Sequence, residues 1–550
     1  MADADATESL VSSECSDDDG GLQFMDQVEL MPKDPVERCF SWRTFMAYCG
    51  PGWLMSLAYL DPGNLEGDLQ SGAFAGYSLL WVLLVCALAG LSLQILAARL
   101  AVVTGRDLAQ TCRAEYPRPL SLLLWLMTEL AIIGADIQEV VGTGIALKVL
   151  LGWPLWLGSL FTGLDTFTFL MIHYMGKRWL EAFILLLIFI TTICFFMNFA
   201  YMPPSAAGLL GGFSFQVPDY AVVQMVGTIG GGIMPHNLYL HSGICKQRAC
   251  DRSDDEHVRQ GVKYTAVDAA IALLLSFLIN AALVSTFATG FFSETCADPN
   301  IFHVLPQKEL EGGPLACLPG ASGEANEVGV APVACVTGTG SAGQCGDIGL
   351  AQAGDTLKQL FGGYGRSGRV MFAVGLLAAG QASTMTGTMA GQYVLEGFLE
   401  WHIPVWLRAL LTRLISLGPA VAVAVYTSTE PNLNNKLDQW INVLESMQIP
   451  FALLPVLHFN SKEELMGKFV LSNRFQLLCW ALAIIIIVVN IKLVAQFAAS
   501  DHAWVRVAVA IFFVVYATLI TLTIWSDLVH AAKSTIHCLT RCFPRSTTGS

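Results

Sequence analysis

Two short stretches set metal-binding donors beside a proline inside apolar runs of membrane grade. In the first, Asp61-Pro62-Gly63-Asn64, the proline supplies no N–H and its ring crowds the carbonyl four residues back. The backbone oxygen of Ala58 is therefore expected to leave the helix ladder and lie near a carboxylate and an amide. In the second, Gly231-Gly232-Ile233-Met234-Pro235-His236-Asn237, Pro235 should free the carbonyl of Gly231 in the same way, next to a thioether. Lipid cannot satisfy such groups, so at membrane depth they line a cavity or bind something. Asp61, Asn64 and Met234 combine hard oxygens with a soft sulfur. That mixture suits a borderline divalent transition metal better than Ca2+ or Mg2+, which want oxygen throughout. With the carbonyls of Ala58 and Gly231 the set leaves room for one water, and a carrier must keep its ion exchangeable.

The bland alternatives are specific. Asp61 as a helix-end cap facing a watery vestibule would also be tolerated, although an ionised Asp at the bilayer centre costs at least about 2.5–3.5 kcal/mol. A lone Met in an apolar helix is ordinarily packing. Met234 stands out because Pro235 follows it directly.

Further chemistry lies on other apolar segments. Glu129, Asp136 and Glu139 fall broadly along one face of the third, which should line the interior as a proton route, in rivalry or combination with pairing to Arg413 on the ninth. His236 and His241 follow the second break, where an imidazole either relays protons or is simply hydrogen-bonded. On the tenth segment Asn442 is left between a metal contact and a bond between helices, and Gln448 is read as the latter.

The elements that position these residues are membrane helices. The chain of 550 residues is 54% hydrophobic and 13% charged, a polytopic membrane composition. Segments long enough to span fall near 46–70, 78–103, 119–147, 153–173, 180–201, 221–245, 262–290, 368–399, 406–426, 438–458, 473–495 and 503–526, which makes twelve helices in an all-α polytopic protein. With the N-terminus in the cytosol, about 22 of the Lys and Arg residues lie inside and 8 outside, so both termini are expected to be cytosolic. The broken helices are the first and the sixth. Five helices per unit is an odd number, which gives two inverted repeats with the breaks meeting near the midplane, plus two further helices.

The expected divisions are an acidic, disordered head at 1–45, a first repeat at 46–201, a second at 202–458, helices eleven and twelve at 459–526, and a cytosolic tail at 527–550. Residues 1–37 hold eleven acids and one base, Lys33. No cleaved signal peptide is expected. The outer loop at about 291–367 carries Cys296, Cys317, Cys335 and Cys345, which fit two disulfides in any of three pairings, and it has no N-glycan acceptor. In the tail, His530, His537, Cys538 and Cys542 match no standard zinc spacing, and palmitoylation or no role at all is favoured.

Asp61-Pro62-Gly63-Asn64, Met234-Pro235-His236-Asn237 continuing through Leu238-Tyr239-Leu240-His241-Ser242, and Gly380-Gln381-Ala382-Ser383-Thr384-Met385-Thr386-Gly387 strongly resemble the NRAMP (natural resistance-associated macrophage protein) family of proton-coupled divalent metal transporters. The resemblance runs from about Gly50 to the eleventh or twelfth helix, with the head, the Cys loop and the tail outside it. It implies a leucine-transporter-type fold, Mn2+ or Fe2+ as substrate with H+ co-transported, and metal ligation by Asp61, Asn64, Met234 and the Ala58 carbonyl. The carbonyl of Gly231 should join in one state. That position is usually alanine in the family, so the glycine should loosen the helix and bear on metal preference and gating. Glu139, Asp136, His236 and Arg413 are implied in the proton route, and Asn442 matches a position that contacts metal in some members.

No cofactor, enzymatic activity or nucleic-acid partner is expected; the partners are metal ions, protons and the bilayer, with the monomer as the working unit. The membrane is either the plasma membrane or that of an acidic endolysosomal or vacuolar compartment. The rivals are a metal sensor without transport, a passive channel, and an amino-acid carrier on the same fold.

Overall fold

The computed structural model describes residues 29–35, 40–164, 168, 171, 177–297, 315–319, 334–401, 404–426, 432–498, 503–523 and 525. The acidic head before 29 and the tail with His530, His537, Cys538 and Cys542 lie outside the described residues.

The fold is all-helical in the membrane and follows the expected order. Span one is broken into Pro51–Ala58 and Pro62–Ala75, and span six into Val222–Gly232 and Pro235–Gln247. Spans two, three and five are Leu80–Thr104, Arg118–Leu151 and Lys177–Tyr201. Spans seven, eight and nine are Asp255–Phe291, Gly365–Leu399 and Val405–Tyr426. Span ten is Asn432–Gln448 continued by Pro450–Ser461, and spans eleven and twelve are Asn473–Ala498 and Ala503–Thr523. Among the described residues, eight helices are singly long and apolar enough to cross a membrane. The other four spans are the two broken ones, the fourth, described from Leu155–Phe161 through Thr162–Leu164, and the twelfth. This is the leucine-transporter-type architecture of two inverted five-helix repeats and two added helices.

Proline and glycine explain both the breaks and the packing around them. Pro62 and Pro235 each open the second half of their span, at the helical position where a missing N–H is harmless. The Pro62 ring is seated because Gly142 of span three has no side chain there, and a Cβ on Gly142 would run into the ring; Gly380 of span eight likewise makes room for the neighbouring Thr143 hydroxyl. Gly72 lies against the Val284 carbonyl of span seven and Gly52 against the Asp268 backbone, the close approach that small residues allow between membrane helices.

Both aqueous ends are tied down. At one end Glu29–Leu30 pairs in parallel with Arg248–Ala249 just beyond span six, and Lys33 bonds Asp254. Arg248 bridges the Cys49 carbonyl at 3.2 Å and Glu181 Oε1 at 2.8 Å. In the loop between spans seven and eight the pairing left open by the sequence is Cys296–Cys345 and Cys317–Cys335, with Cys317, Cys345 and Cys335 on the strands of an antiparallel sheet ordered Ala316–Pro319, Ala342–Gly346, Ala334–Val336.

Candidate functional site

In span one the helix tightens before it stops. Tyr59 N–H donates to the Ser56 carbonyl at 3.3 Å and Leu60 N–H to the Leu57 carbonyl at 2.9 Å, after which Asp61 is extended at φ −65°, ψ 161°. Its carboxylate caps the second half, accepting from Gly63 N–H at 3.1 Å, Asn64 N–H at 3.4 Å and Asn64 Nδ2 at 2.5 Å. Asp61 is thus a cap, as the bland reading had it, yet it is 2% exposed. Nothing prevents one carboxylate from capping a helix with some lone pairs and facing a cation with others. Asn280 of span seven holds the Tyr59 carbonyl at 3.0 Å, whereas the Ala58 carbonyl, freed by Pro62, receives only Asn237 Nδ2 at 3.5 Å.

In span six Ile233 N–H donates to the Ile229 carbonyl at 3.1 Å and closes the first half. Met234 is extended at φ −64°, ψ 128°, and buried. The two breaks abut at two points. Asn64 Oδ1 occupies the space where a Gly231 side chain would begin, and Asn237 reaches Ala58. Met234 lies midway in sequence between these contacts. Farther along, Ser71 and Thr228 hydroxyls bond at 2.8 Å across the same pair of spans.

Asn442 is also at the break, but its amide is engaged. It donates to the Gly63 carbonyl at 3.0 Å and accepts from Gln138 Nε2 at 3.0 Å, tying spans one, three and ten together.

The span-three acids face spans eight and nine. Glu139 pairs with Arg413 at 3.4 Å, and Glu129 with Arg408, whose Nη2 reaches its two oxygens at 2.9 and 3.0 Å. Asp136 lies between them in sequence, buried, with Oδ1 lacking a hydrogen-bond partner among the described residues. Gly387 of span eight makes room for both Asp136 and Glu139, whose oxygens stand 3.2 and 3.4 Å from where its Cβ would be. The expected pairing with Arg413 is thus made by Glu139, while Asp136 shares its space beside Gly387.

His236 and His241 are buried, each with Nδ1 unpartnered among the described residues; His241 Nε2 is 3.6 Å from Cys245 Sγ. The oxygen of Gln448 is likewise unpartnered among the described residues.

Sequence reasoning passed over Gln138, Asn237, Arg408 and Glu445. Gln138 stands beside Glu139, and Asn237 closes a motif already singled out. Glu445 is an acid between two noted amides in an apolar helix, a signal as plain as that of Asp136. Arg408 gave no local hint of its partner, 279 positions away.

Comparison with known proteins finds relatives over most of the chain. A family profile described as "Natural resistance-associated macrophage protein-like" matches residues 52–304 and 330–496. The match takes in Cys296, Cys335 and Cys345, so the Cys loop is not outside the resemblance as expected; only 305–329 drops out. The chain is 42% identical over 488 residues to the metal transporter nramp1 homolog of Dictyostelium discoideum, covering 87% of this chain and 80% of that one. It is 40% identical over 466 residues to metal transporter Nramp3 of Arabidopsis thaliana, covering 84% and 82%. A crystal structure of the Eremococcus coleocola manganese transporter superposes with a TM-score of 0.71 at 30% identity, covering 92% of this chain and 98% of that chain.

Proposed function

The chain belongs to the Nramp family, and on that premise we propose that it moves divalent transition metal ions, Mn2+ or Fe2+, toward the cytosol together with protons, by alternating access. Asp61, Asn64, Met234 and the carbonyls of Ala58 and Gly231 hold the partly dehydrated ion, and Asn442 joins when it releases Gly63. Glu139, Asp136, His236 and Arg413 carry the proton, with Glu129 and His241 at the margins of the route. The repeats at 46–201 and 202–458 rock about the site while both termini stay cytosolic. The membrane is either the plasma membrane or that of an acidic endolysosomal or vacuolar compartment.

The observation that carries this reading is the abutment of the two breaks through Asn64 and Gly231. It brings a carboxylate, an amide, a freed carbonyl and the thioether-bearing turn to one buried place. The sulfur there favours a transition metal over Ca2+. A membrane potential of 100 mV adds about 2.3 kcal/mol per charge crossing inward. An amino-acid carrier would need a cationic or N–H-rich pocket for a carboxylate, and the Asp61 charge opposes one.

The test is uptake into proteoliposomes of Mn2+, Fe2+ and Ca2+ with and without an imposed pH gradient. Accumulation of Mn2+ or Fe2+ against its own gradient, driven by an acidic exterior, supports the proposal. Uptake that never exceeds equilibrium sinks it in favour of a passive pore.

A further inference from the structure

Glu445, on the first half of span ten, is 1% exposed, and neither of its oxygens has a hydrogen-bond partner among the described residues. A charged carboxyl is not left bare in a membrane interior without a compensating cation. The arginines of span nine face other acids: Arg408 is paired with Glu129 and Arg413 with Glu139.

The surroundings of Glu445 are those of the transport site. It is three residues beyond Asn442, on the same side of the helix, and Asn442 touches Gly63 and Gln138. The half of span ten that carries it packs against Val222–Gly232 of span six, Pro62–Ala75 of span one, which Asp61 caps, and Arg118–Leu151 of span three, which carries Glu139. Span one also carries Glu66, bonded to Gln70 and to Leu350 N–H at 2.6 Å each, and Asp68; span three also carries Asp136 and Glu129. The half of span six packed there, Val222–Gly232, has no ionisable side chain. The continuation of span ten brings His458, and span eleven brings Arg474, Cys479 and Lys492 and meets Ser446 through neutral Asn490 at 2.7 Å. No cation is paired with Glu445 among the described residues, and a further acid, Asp438, lies two turns earlier on its own helix.

We infer that Glu445 is a proton-carrying residue of this chain: its carboxyl holds a proton while no metal is bound and releases it to water when a divalent cation reaches the adjoining breaks. The step is COOH to carboxylate plus H+, driven by the arriving positive charge, and nothing else is consumed. This rests on the metal-carrier reading and adds a proton site on span ten, apart from the acids of span three.

The experiment loads proteoliposomes with a pH-sensitive dye and measures Mn2+ uptake and proton influx together, in wild type, Glu445→Gln, Glu445→Asp and Asp61→Asn. In Glu445→Gln, protons carried per Mn2+ should fall about twofold or more, and the rise of uptake with external acidity should flatten. Glu445→Asp keeps an acid and should restore proton influx with a displaced pH midpoint. An unchanged ratio and pH profile in Glu445→Gln overturns the inference. If that variant does not fold, an unmoved midpoint in Glu445→Asp overturns it equally. No Mn2+ uptake by the wild type would instead defeat the metal-carrier reading itself, so the two failures are distinct.

Discussion

Asn64 Oδ1 fills the space in which a Gly231 side chain would begin, so a residue of span one closes on bare backbone in span six. The glycine does more than loosen its helix, as its sequence context suggested. It lets the amide of one break nest against the other. Gly231→Ala should push Asn64 away and weaken Mn2+ binding by about tenfold, equivalent to about 1.4 kcal/mol. Titration calorimetry on detergent-purified protein reads this directly, and equal affinity in the variant would mean that Asn64 moves aside without consequence.

Met234 carries a thioether at the second break, and in the proposed function it is the soft donor. Replacing it with alanine leaves an all-oxygen shell, which favours a hard cation. Met234→Ala should admit Ca2+ more readily than the wild type, with Mn2+ uptake reduced but not abolished. Competition of Ca2+ against Mn2+ in liposomes measures the change, and unaltered selectivity removes the sulfur from the metal shell.

Glu129 and Arg408 form a largely buried ion pair, with Arg408 buried and Glu129 partly so, supported by Trp125, whose indole N–H reaches Glu129 at 3.1 Å. Removing one partner strands the other charge, at a cost of about 3–5 kcal/mol. Arg408→Ala should lower thermal stability sharply, and adding Glu129→Gln should recover much of the loss. Thermal unfolding in detergent checks both, and a double variant no better than the single one would place the damage in packing.

These relationships mark what the chain disclosed unaided. Pro62 and Pro235 were legible because proline acts on its own helix within one turn, and the acids of span three because a carboxylate in an apolar run is conspicuous. The Cys296–Cys345 and Cys317–Cys335 pairing was not, since all three pairings satisfy the same spacing until the sheet of the loop is folded. The Arg408–Glu129 pair and the commitments of Asn442 depend on contacts between residues hundreds of positions apart, which no local pattern encodes. Glu445 was readable and was overlooked between two amides.

Hydrogen bonding to Lys33 holds the Asp254 carboxyl below its ordinary range. The linkage therefore stabilises the strap of residues 29–34 at pH above the ordinary carboxylate value, and the contribution is lost as pH falls through the depressed one. Residues 29–34 should exchange amide hydrogens slowly at neutral pH and faster in strong acid, and Asp254→Asn should speed exchange at neutral pH. Protection that is identical in the variant would show that the Glu29–Leu30 pairing alone holds the strap.

The shared cation site is tested most directly by anomalous scattering from crystals grown with Mn2+. The expected result is one peak in contact with Asp61, Asn64 and the Met234 sulfur, absent from crystals of Asp61→Asn. A peak remote from Met234, or one that survives unchanged in Asp61→Asn, would contradict a single ion held between the two broken spans.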